Sequence, residues 1–336
     1  MDGSETKYST LSRVEAGDIV VNKIWARNGS VAVVPEALGG AYVSGEFPTF
    51  IPAPRMLDPR WFHWFTKTPN CWEQCDEKSR GTSGKNRIRP EQFLAIAIPL
   101  PPLDEQQRIV ARIEALAAKI QEARGLRREV LSGCDDLCRS ILLHDATPAP
   151  TPMRALVKLR EPDVTVHADE SYDFAGVYCF GEGVFRGQRK SGMEFAYARL
   201  TRLRAGDFVY PKLMAWEGAL GVVPPECEGL VVSSEFPVFE IDTALALPET
   251  LDVYFRTPSV WPTLAGASTG TNVRRRRLNP ANFLEFEMPL PPMNSQRKLS
   301  EIKRRVDAMK RLQAVTTAEF DALLPSILDR AFRGKL

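Results

Sequence analysis

The chain is one pattern written twice. Ala16-Gly17-Asp18-Ile19-Val20 returns as Ala205-Gly206-Asp207-Phe208-Val209, and Val33-Val34-Pro35 as Val222-Val223-Pro224. Ser44, Glu46-Phe47-Pro48 and Phe50 return as Ser233, Glu235-Phe236-Pro237 and Phe239. Thr68-Pro69, Trp72 and Gly81-Thr82 return as Thr257-Pro258, Trp261 and Gly270-Thr271. All these pairs stand 189 residues apart. One extra residue in the second copy then moves the offset to 190, where Phe93 meets Phe283, Pro99-Leu100-Pro101-Pro102 meets Pro289-Leu290-Pro291-Pro292, and Gln106 meets Gln296. Gap-free agreement of this length is not coincidence between similar compositions. The period far exceeds the roughly 20–50 residues of solenoid repeats, so this is a duplicated domain and not an array.

The copies begin differently. Gly3, Glu5, Tyr8 and Leu11 align with Gly192, Glu194, Tyr197 and Leu200, but the stretch from about Met153 to Ser191 has no counterpart before Gly3. The first domain is therefore expected to be truncated at its N-terminus.

Within one unit, short β-branched and aromatic runs separated by Gly or Pro read as strands: 176–180, 208–210, 221–223 and 231–233, with 31–34 and 42–44 in the first copy. Residues 59–66 and 251–256 are short helix candidates, each ending before a Thr-Pro, because a residue preceding proline avoids the helical region. The unit is mixed α/β. Pro-Leu-Pro-Pro then forms a hard boundary. Beyond it Asp104 and Glu105 suit a helix start, and apolar residues follow at alternating spacings of four and three: Ile109, Ile113, Leu116, Ile120, Ala123, Val130, Cys134, Leu137 and Ile141, with only Arg127 breaking the frame. Such a helix spans roughly 57 Å, more than a domain of about 100 residues can cover. The second copy gives Ile302, Val306, Met309, Gln313, Thr316, Phe320, Leu323 and Ile327, a weaker seam with a kink expected at Pro325. Two such helices in one chain can pair antiparallel. The expected divisions are 1–100 for the first globular domain, 101–145 for the first helix, 146–153 for a Pro-rich linker, 154–290 for the second domain and 291–336 for the second helix.

Composition limits the function. The 336 residues carry a net charge of +2, so the whole molecule is no general polyanion binder, and local basic patches matter more. The N-terminus has no apolar signal core and no apolar run reaches the roughly 20 residues of a membrane span, which points to the cytoplasm and no membrane. Cys71/Cys75 and Cys134/Cys138 are spaced four apart, but His63, His144 and His167 stand at no finger-like spacing, so buried thiols are expected and no metal.

In this order of parts the chain resembles the specificity subunits of Type I restriction–modification systems. The resemblance is carried by Gly17-Asp18, 44–47, Gly81-Thr82, 98–109 and the C-terminal Ala331-Phe332-Arg333-Gly334-Lys335-Leu336. The second copy carries it at Gly206-Asp207, Ser234-Glu235-Phe236, Gly270-Thr271 and 288–296. The resemblance implies an α+β fold with two tandem target-recognition domains, each followed by a long helix, the helices forming an antiparallel coiled coil. It implies that each domain reads half of a bipartite sequence in double-stranded DNA. It implies as partners two methyltransferase (modification) subunits and a restriction/translocase subunit. S-adenosylmethionine and ATP would bind those partners, leaving this chain without a cofactor.

Three basic segments are candidates for DNA contact. The first is the Gly-Thr loop, with Thr82, Ser83, Lys85, Asn86 and Arg87 in one copy and Thr271, Asn272, Arg274, Arg275 and Arg276 in the other. Glycine lets backbone approach a phosphate, hydroxyls and amides donate to it, and Arg and Asn also read guanine and adenine edges. The plainer alternative is a solvated basic loop. The second segment holds Lys23 and Arg27, with Trp25 and Asn28, matched by Lys212 and Trp216, where the tryptophans have a core role as the alternative. The third is a basic loop with Arg186, Gln188, Arg189 and Lys190, found only in the second copy. Glu46 and Glu235 could accept from cytosine, but a structural role beside Phe47 and Phe236 is the better reading. Arg297, Lys298, Lys303, Arg304, Arg305, Lys310 and Arg311 read as a solvated flank of the second helix, with partner subunits or spacer DNA as the alternative.

Catalysis has little to stand on. Asn279-Pro280-Ala281-Asn282 lacks the stacking aromatic of an adenine methyltransferase, there is no G-x-G-x-x-G, and Glu161-Pro162-Asp163 has no nearby Glu-x-Lys. The expectation is a non-catalytic DNA-reading scaffold. The alternative is a protein–protein scaffold of a related defence system whose first domain reads no sequence.

Overall fold

The computed structural model describes residues 8, 10–79, 86–144, 150–268 and 276–336. It forms two compact units, one of residues 1–127 with 313–336 and the other of residues 128–312.

In the first unit β1 (Leu11–Arg13), β2 (Ile19–Val21), β3 (Val31–Val33), β4 (Tyr42–Ser44) and β5 (Thr49–Phe50) form two small sheets, β1–β4 and β3–β2–β5. The Gly-Asp motif is the corner between them. Gly17 takes a left-handed φ of 90°, and the Asp18 carboxylate accepts the Glu15 N–H at 2.9 Å. The second copy repeats this with Gly206 at 91° and Asp207 accepting from the Arg204 N–H at 2.9 Å. Helices α1 (Pro59–Phe65), α2 (Pro69–Lys78) and α3 (Pro90–Leu94) follow. Proline at N1 suits a helix start, since its missing N–H would be unbonded there anyway. Asp58 and Thr68 cap α1 and α2 by accepting the Arg60 and Cys71 N–H groups. Thr68-Pro69 therefore ends one helix and opens the next, of which the sequence pattern shows only the first. Trp61, Phe62 and Phe65 on α1 and Cys71 and Cys75 on α2 are buried. The Cys71 thiol, hydrogen-bonded to Cys75 and desolvated, is held well above its usual range.

Helix α4 (Leu103–His144) runs for 42 residues. In the second unit follow β6 (Thr151–Pro152), β7 (Val157–Leu159), β8 (Val164–Thr165), β9 (Ser171–Tyr178), β10 (Gly183–Ser191), β11 (Arg199–Arg202), β12 (Phe208–Val209), β13 (Gly221–Val222), β14 (Val231–Val232) and β15 (Val238–Ile241). After them come α5 (Pro248–Phe255), α6 (Trp261–Ala267), α7 (Pro280–Leu284), β16 (Glu287–Met288) and α8 (Met293–Val315), while α9 (Thr317–Phe332) belongs to the first unit. The second unit carries a five-stranded sheet in order β10-β9-β14-β11-β8, a four-stranded sheet in order β13-β12-β15-β7, and the pair β16–β6. Its core is aromatic: Phe208, Tyr210, Phe239, Phe255 and Phe283 are buried together, and Cys138 and Leu142 from α4 join them with Leu299 and Val306 from α8.

The helices pair antiparallel within each unit. In the first, Arg108 reaches the Leu336 carbonyl, Arg124 pairs with Asp321 at 2.8 Å and Arg127 bonds the Gln313 carbonyl at 2.6 Å, so numbers rise along α4 as they fall along its partner. In the second, Lys310 pairs with Asp135 at 2.7 Å. Two expectations need correction. The seam of Ile109, Ile113 and Ile120 is buried, but beyond Arg127 the frame slips: Val130 and Leu137 are exposed while Cys138 and Leu142 are buried. An α-helix drifts about 20° per heptad against a strict 3.5 repeat, and here the two halves of α4 pack in different units. The second helix is interrupted at Thr316, and Pro325 lies inside α9. The Thr316 and Thr317 hydroxyls both bond the Gln313 carbonyl, at 3.1 and 2.8 Å, which competes with the helical ladder.

Candidate nucleic-acid interface

In each unit the chain between two strands makes a 3-10 turn that ends on a left-handed glycine. In the first, Ala26–Asn28 ends at Gly29, and in the second Ala215–Glu217 ends at Gly218. An indole lies against each glycine. A Cβ on Gly29 would stand 3.0 Å from Trp72 Nε1, and one on Gly218 would stand 2.4 Å from the Trp261 ring. The same indoles are aimed by hydrogen bonds, Trp72 to the Thr66 carbonyl at 2.7 Å and Trp261 to the Phe255 carbonyl at 3.0 Å. Thus α2 and α6, which lead into the Gly-Thr loops, are pinned against the turns that carry Lys23 and Arg27, and Lys212 and Trp216.

The far side of each loop returns to the same place. The Ile88 N–H donates to the Lys23 carbonyl at 2.9 Å, and the Leu278 N–H to the Lys212 carbonyl at 2.8 Å. The Lys23 and Lys212 N–H groups donate to the Glu46 and Glu235 carbonyls, at 3.2 and 2.9 Å. Arg87 pairs with the Glu46 carboxylate at 3.4 Å, and Arg277 pairs with that of Glu235. Two candidate segments that are remote in sequence therefore meet in both units. Glu46 and Glu235 brace them, the structural role expected, though toward an arginine and not a phenylalanine.

Lys23 and Arg27 are half-buried, Asn86 is half-buried and Arg87 is exposed beside them; Lys212 and Arg276 are half-buried in the second unit. One N–H of the Lys23 ammonium donates to the Gly45 carbonyl at 2.6 Å, which holds the side chain against the turn. Trp25 is 54% exposed and Trp216 half-buried, so neither is core. Thr82, Ser83, Lys85, Thr271, Asn272, Arg274 and Arg275 lie outside the described residues.

The third segment is no loop. Arg186, Arg189 and Lys190 lie on β10, which pairs antiparallel with β9 through a register shift between Arg186 and Arg189. Arg186 faces Ala175 and Arg189 faces Asp173, two positions on one face of β9, so the extra residue turns both arginines to the same side. Lys190 faces Tyr172 and stands over the Phe174 ring. At about 3.3 Å per residue the strand carries Lys190 some 20 Å from the hairpin turn.

The turn itself is a feature the sequence pattern missed. Phe180 has a φ of 60°, uncommon outside glycine, and is 70% exposed. Its N–H and that of Gly181 donate to the Glu217 and Gly218 carbonyls, at 2.8 and 3.0 Å, which fixes an exposed aromatic beside the Lys212 turn. The only signal was the glycine pair Gly181 and Gly183 that follows it.

The basic run on α8 is mostly engaged. Lys303 is buried between Asp252 and Asp307, at 3.2 and 2.6 Å, and does not belong to a solvated flank. Arg305 pairs with Glu301 and Lys310 with Asp135.

Residues 1–131, which include the first of these sites, match the family model described as Type I restriction modification DNA specificity domain. That part of the chain carries a Type I DNA specificity domain. The second unit repeats the same site on the same frame. A solved structure titled as the HsdS subunit from Thermoanaerobacter tengcongensis superposes with a TM-score of 0.53 and 24% identity, over 100% of this chain and 85% of the other. A second, from a study of complex assembly and conformational transition of the type I R-M system, gives a TM-score of 0.68 and 22% identity, over 100% and 86%. These likenesses give the specificity-subunit fold: mixed α/β domains with long paired helices. No curated protein matches the chain. Among the described residues no helix is long and apolar enough to cross a membrane.

Proposed function

We propose that this chain is the DNA-reading, non-catalytic subunit of a Type I restriction–modification complex, with each unit reading one half of a bipartite duplex target. It works in the cytoplasm, carries two methyltransferase subunits and a restriction/translocase subunit, and leaves S-adenosylmethionine and ATP to them. One observation carries the reading: in both units the Gly-Thr loop is anchored at both ends to the turn bearing a lysine, by the same indole and the same backbone bond. A basic, glycine-containing loop on a fixed frame suits phosphate positioning with base-edge contact. In the first domain Lys23, Arg27, Thr82, Ser83, Lys85, Asn86 and Arg87 form that surface. In the second, Lys212, Thr271, Asn272, Arg274, Arg275 and Arg276 form it, with Arg186, Arg189 and Lys190 meeting the backbone from the hairpin. The expected domain divisions, 1–100, 101–145, 146–153, 154–290 and 291–336, belong to the same proposal.

Selection of randomised duplexes by the chain with its methyltransferase partner tests this. A motif of two fixed halves around a spacer of constant length is the expected result; no enriched motif would sink the reading. A single half-site would favour the second reading, a scaffold whose first domain reads no sequence. The open strand edges of that domain, described next, are what favours it.

A further inference from the structure

The duplication gives every position of the first domain a counterpart whose surroundings can be inspected. In the second unit one stretch of chain, 151–191, closes four separate edges. β6 pairs with β16, β7 with β15, β8 with β11 at Leu200, and β9 with β14 at Val231. The counterparts of β16, β15, β11 and β14 in the first unit are residues 97–98, β5, β1 and β4. Among the described residues β5 pairs only with β2, β1 and β4 pair only with each other, and residues 97–98 are in no strand.

The side chains agree with the strands. Leu200 is 0% exposed, whereas its counterpart Leu11 is 44% exposed; Val231 is 3% exposed, whereas Tyr42 is 64% exposed. Leu38, at the place of buried Cys227, is exposed as well. A sheet edge meant for solvent is normally blunted by charge, proline or a bulge. Pro52 stands at the position of Ile241, but it does not blunt this one. In the β15–β7 ladder Arg160 donates to the Val238 carbonyl and Asp242 to the Leu156 carbonyl, so Ile241 sits in a non-hydrogen-bonded pair with its N–H turned away from β7. The groups that pair outward are those of residues 238, 240 and 242, and their counterparts Thr49, Ile51 and Ala53 keep the same donors and acceptors.

We propose that this face of the first domain takes up a polypeptide segment with the strand pattern of residues 150–191, added along β5, β1 and β4. The segment would need apolar residues where the second unit uses Met153, Leu156, Val157, Leu159, Val164 and Phe174, of which Met153, Leu156 and Val157 are buried there. Main-chain pairing along open edges would supply affinity, and pockets for alternate side chains would supply selectivity. The inference rests on the fold alone and stands whether or not either domain reads DNA.

The test uses the full chain and a synthetic peptide of residues 150–191, followed by hydrogen–deuterium exchange. Expected are one peptide per chain and exchange slowed by about tenfold or more at 11–13, 42–44 and 49–53. The double variant Leu11→Asp, Tyr42→Arg changes exposed side chains, and it should abolish peptide binding while its unfolding midpoint stays in place. A scrambled peptide should not bind. No binding, or protection confined to 199–241, overturns the proposal. Protection of the first-domain strands without peptide, rising with protein concentration, also overturns it, because the occupant would then be a second copy of the chain.

Discussion

Gln106 and Gln296 show how much one buried amide can hold. Gln106 accepts the Asp58 N–H at 3.0 Å and donates to the Met56 and Pro101 carbonyls, both at 2.8 Å. Gln296 repeats the set with Leu247, Leu245 and Pro291, at 2.8, 3.0 and 2.9 Å. Each therefore ties the start of a long helix to the globular domain before it. Gln296→Leu strands three buried or half-buried backbone groups and the Thr250 hydroxyl and should lower stability by about 3 kcal/mol in urea unfolding; a loss under about 1 kcal/mol would show that water replaces the amide. The glycines give a sharper contrast. Gly218→Ala meets both a φ of 79° and the Trp261 ring, while Gly229→Ala meets a φ of 82° and open space. Both should destabilise, by about 1 kcal/mol for Gly229 and at least twice that for Gly218, and equal losses would mean the indole moves aside freely. In the sequence both glutamines stood out only as a repeated letter. Neither pattern nor periodicity says that a polar residue will face inward, because that depends on carbonyls some 50 positions away.

At the scale of elements, Arg127 was the one residue that spoiled the seam of α4. Its guanidinium bonds the Gln313 carbonyl and lies 5.1 Å over the Phe320 ring. A cation is favoured there, at the C-terminal end of α8, where the helix dipole is negative. Arg127→Ala should lower the unfolding midpoint at a cost of about 1–2 kcal/mol, and an unchanged midpoint would leave the interruption at Thr316 without need of a cap. Helix α8 also docks on α5 through charge. Burial alone would raise the Asp252 carboxyl, but Arg256 and Lys303 reverse this and hold it below its usual range. Burial would lower Lys303, and Asp252 and Asp307 hold it above its usual range instead. A lowered acid contributes stability above its ordinary value and loses it as pH falls through the folded value. A raised lysine contributes below its ordinary value and loses it as pH rises through the folded one. Stability should therefore drop at both ends of the range, below about pH 4 and above about pH 10. With Asp252→Asn the acid-side drop should shrink; an unchanged acid limb would show that other carboxylates govern it. The strands and the long helix were legible because periodicity and Pro-Leu-Pro-Pro are local signals. The β10 strand was not, since Gly187 among the four polar residues Arg186, Gln188, Arg189 and Lys190 looks like loop until β9 supplies a partner.

For the molecule as a whole, the candidate site was half legible. Its basic loops announced themselves, but that Lys23 and Arg87, or Lys212 and Arg277, stand side by side follows from long-range pairing of Ile88 and Leu278. Replacing Arg274, Arg275 and Arg276 with Ala should weaken DNA binding and flatten its dependence on log salt by up to about 2.7 units, near 0.9 for each lost phosphate contact; an unchanged slope would remove this loop from the interface. If the paired helices set the separation of the half-sites, removing one heptad from α4 and its partner should change the preferred spacer, and an unaltered spacer would rule out the helices as the ruler.

The division of the chain between units has a further consequence, in the order of events on the ribosome. The second unit is a single continuous stretch, 128–312, whereas the first needs residues 313–336 to cover Trp61, Ile109 and Ile113. Domains generally form as their chain emerges. Here the half that is synthesised second is complete first, and the half that is synthesised first waits with an uncovered helix face until residues 313–336 are made.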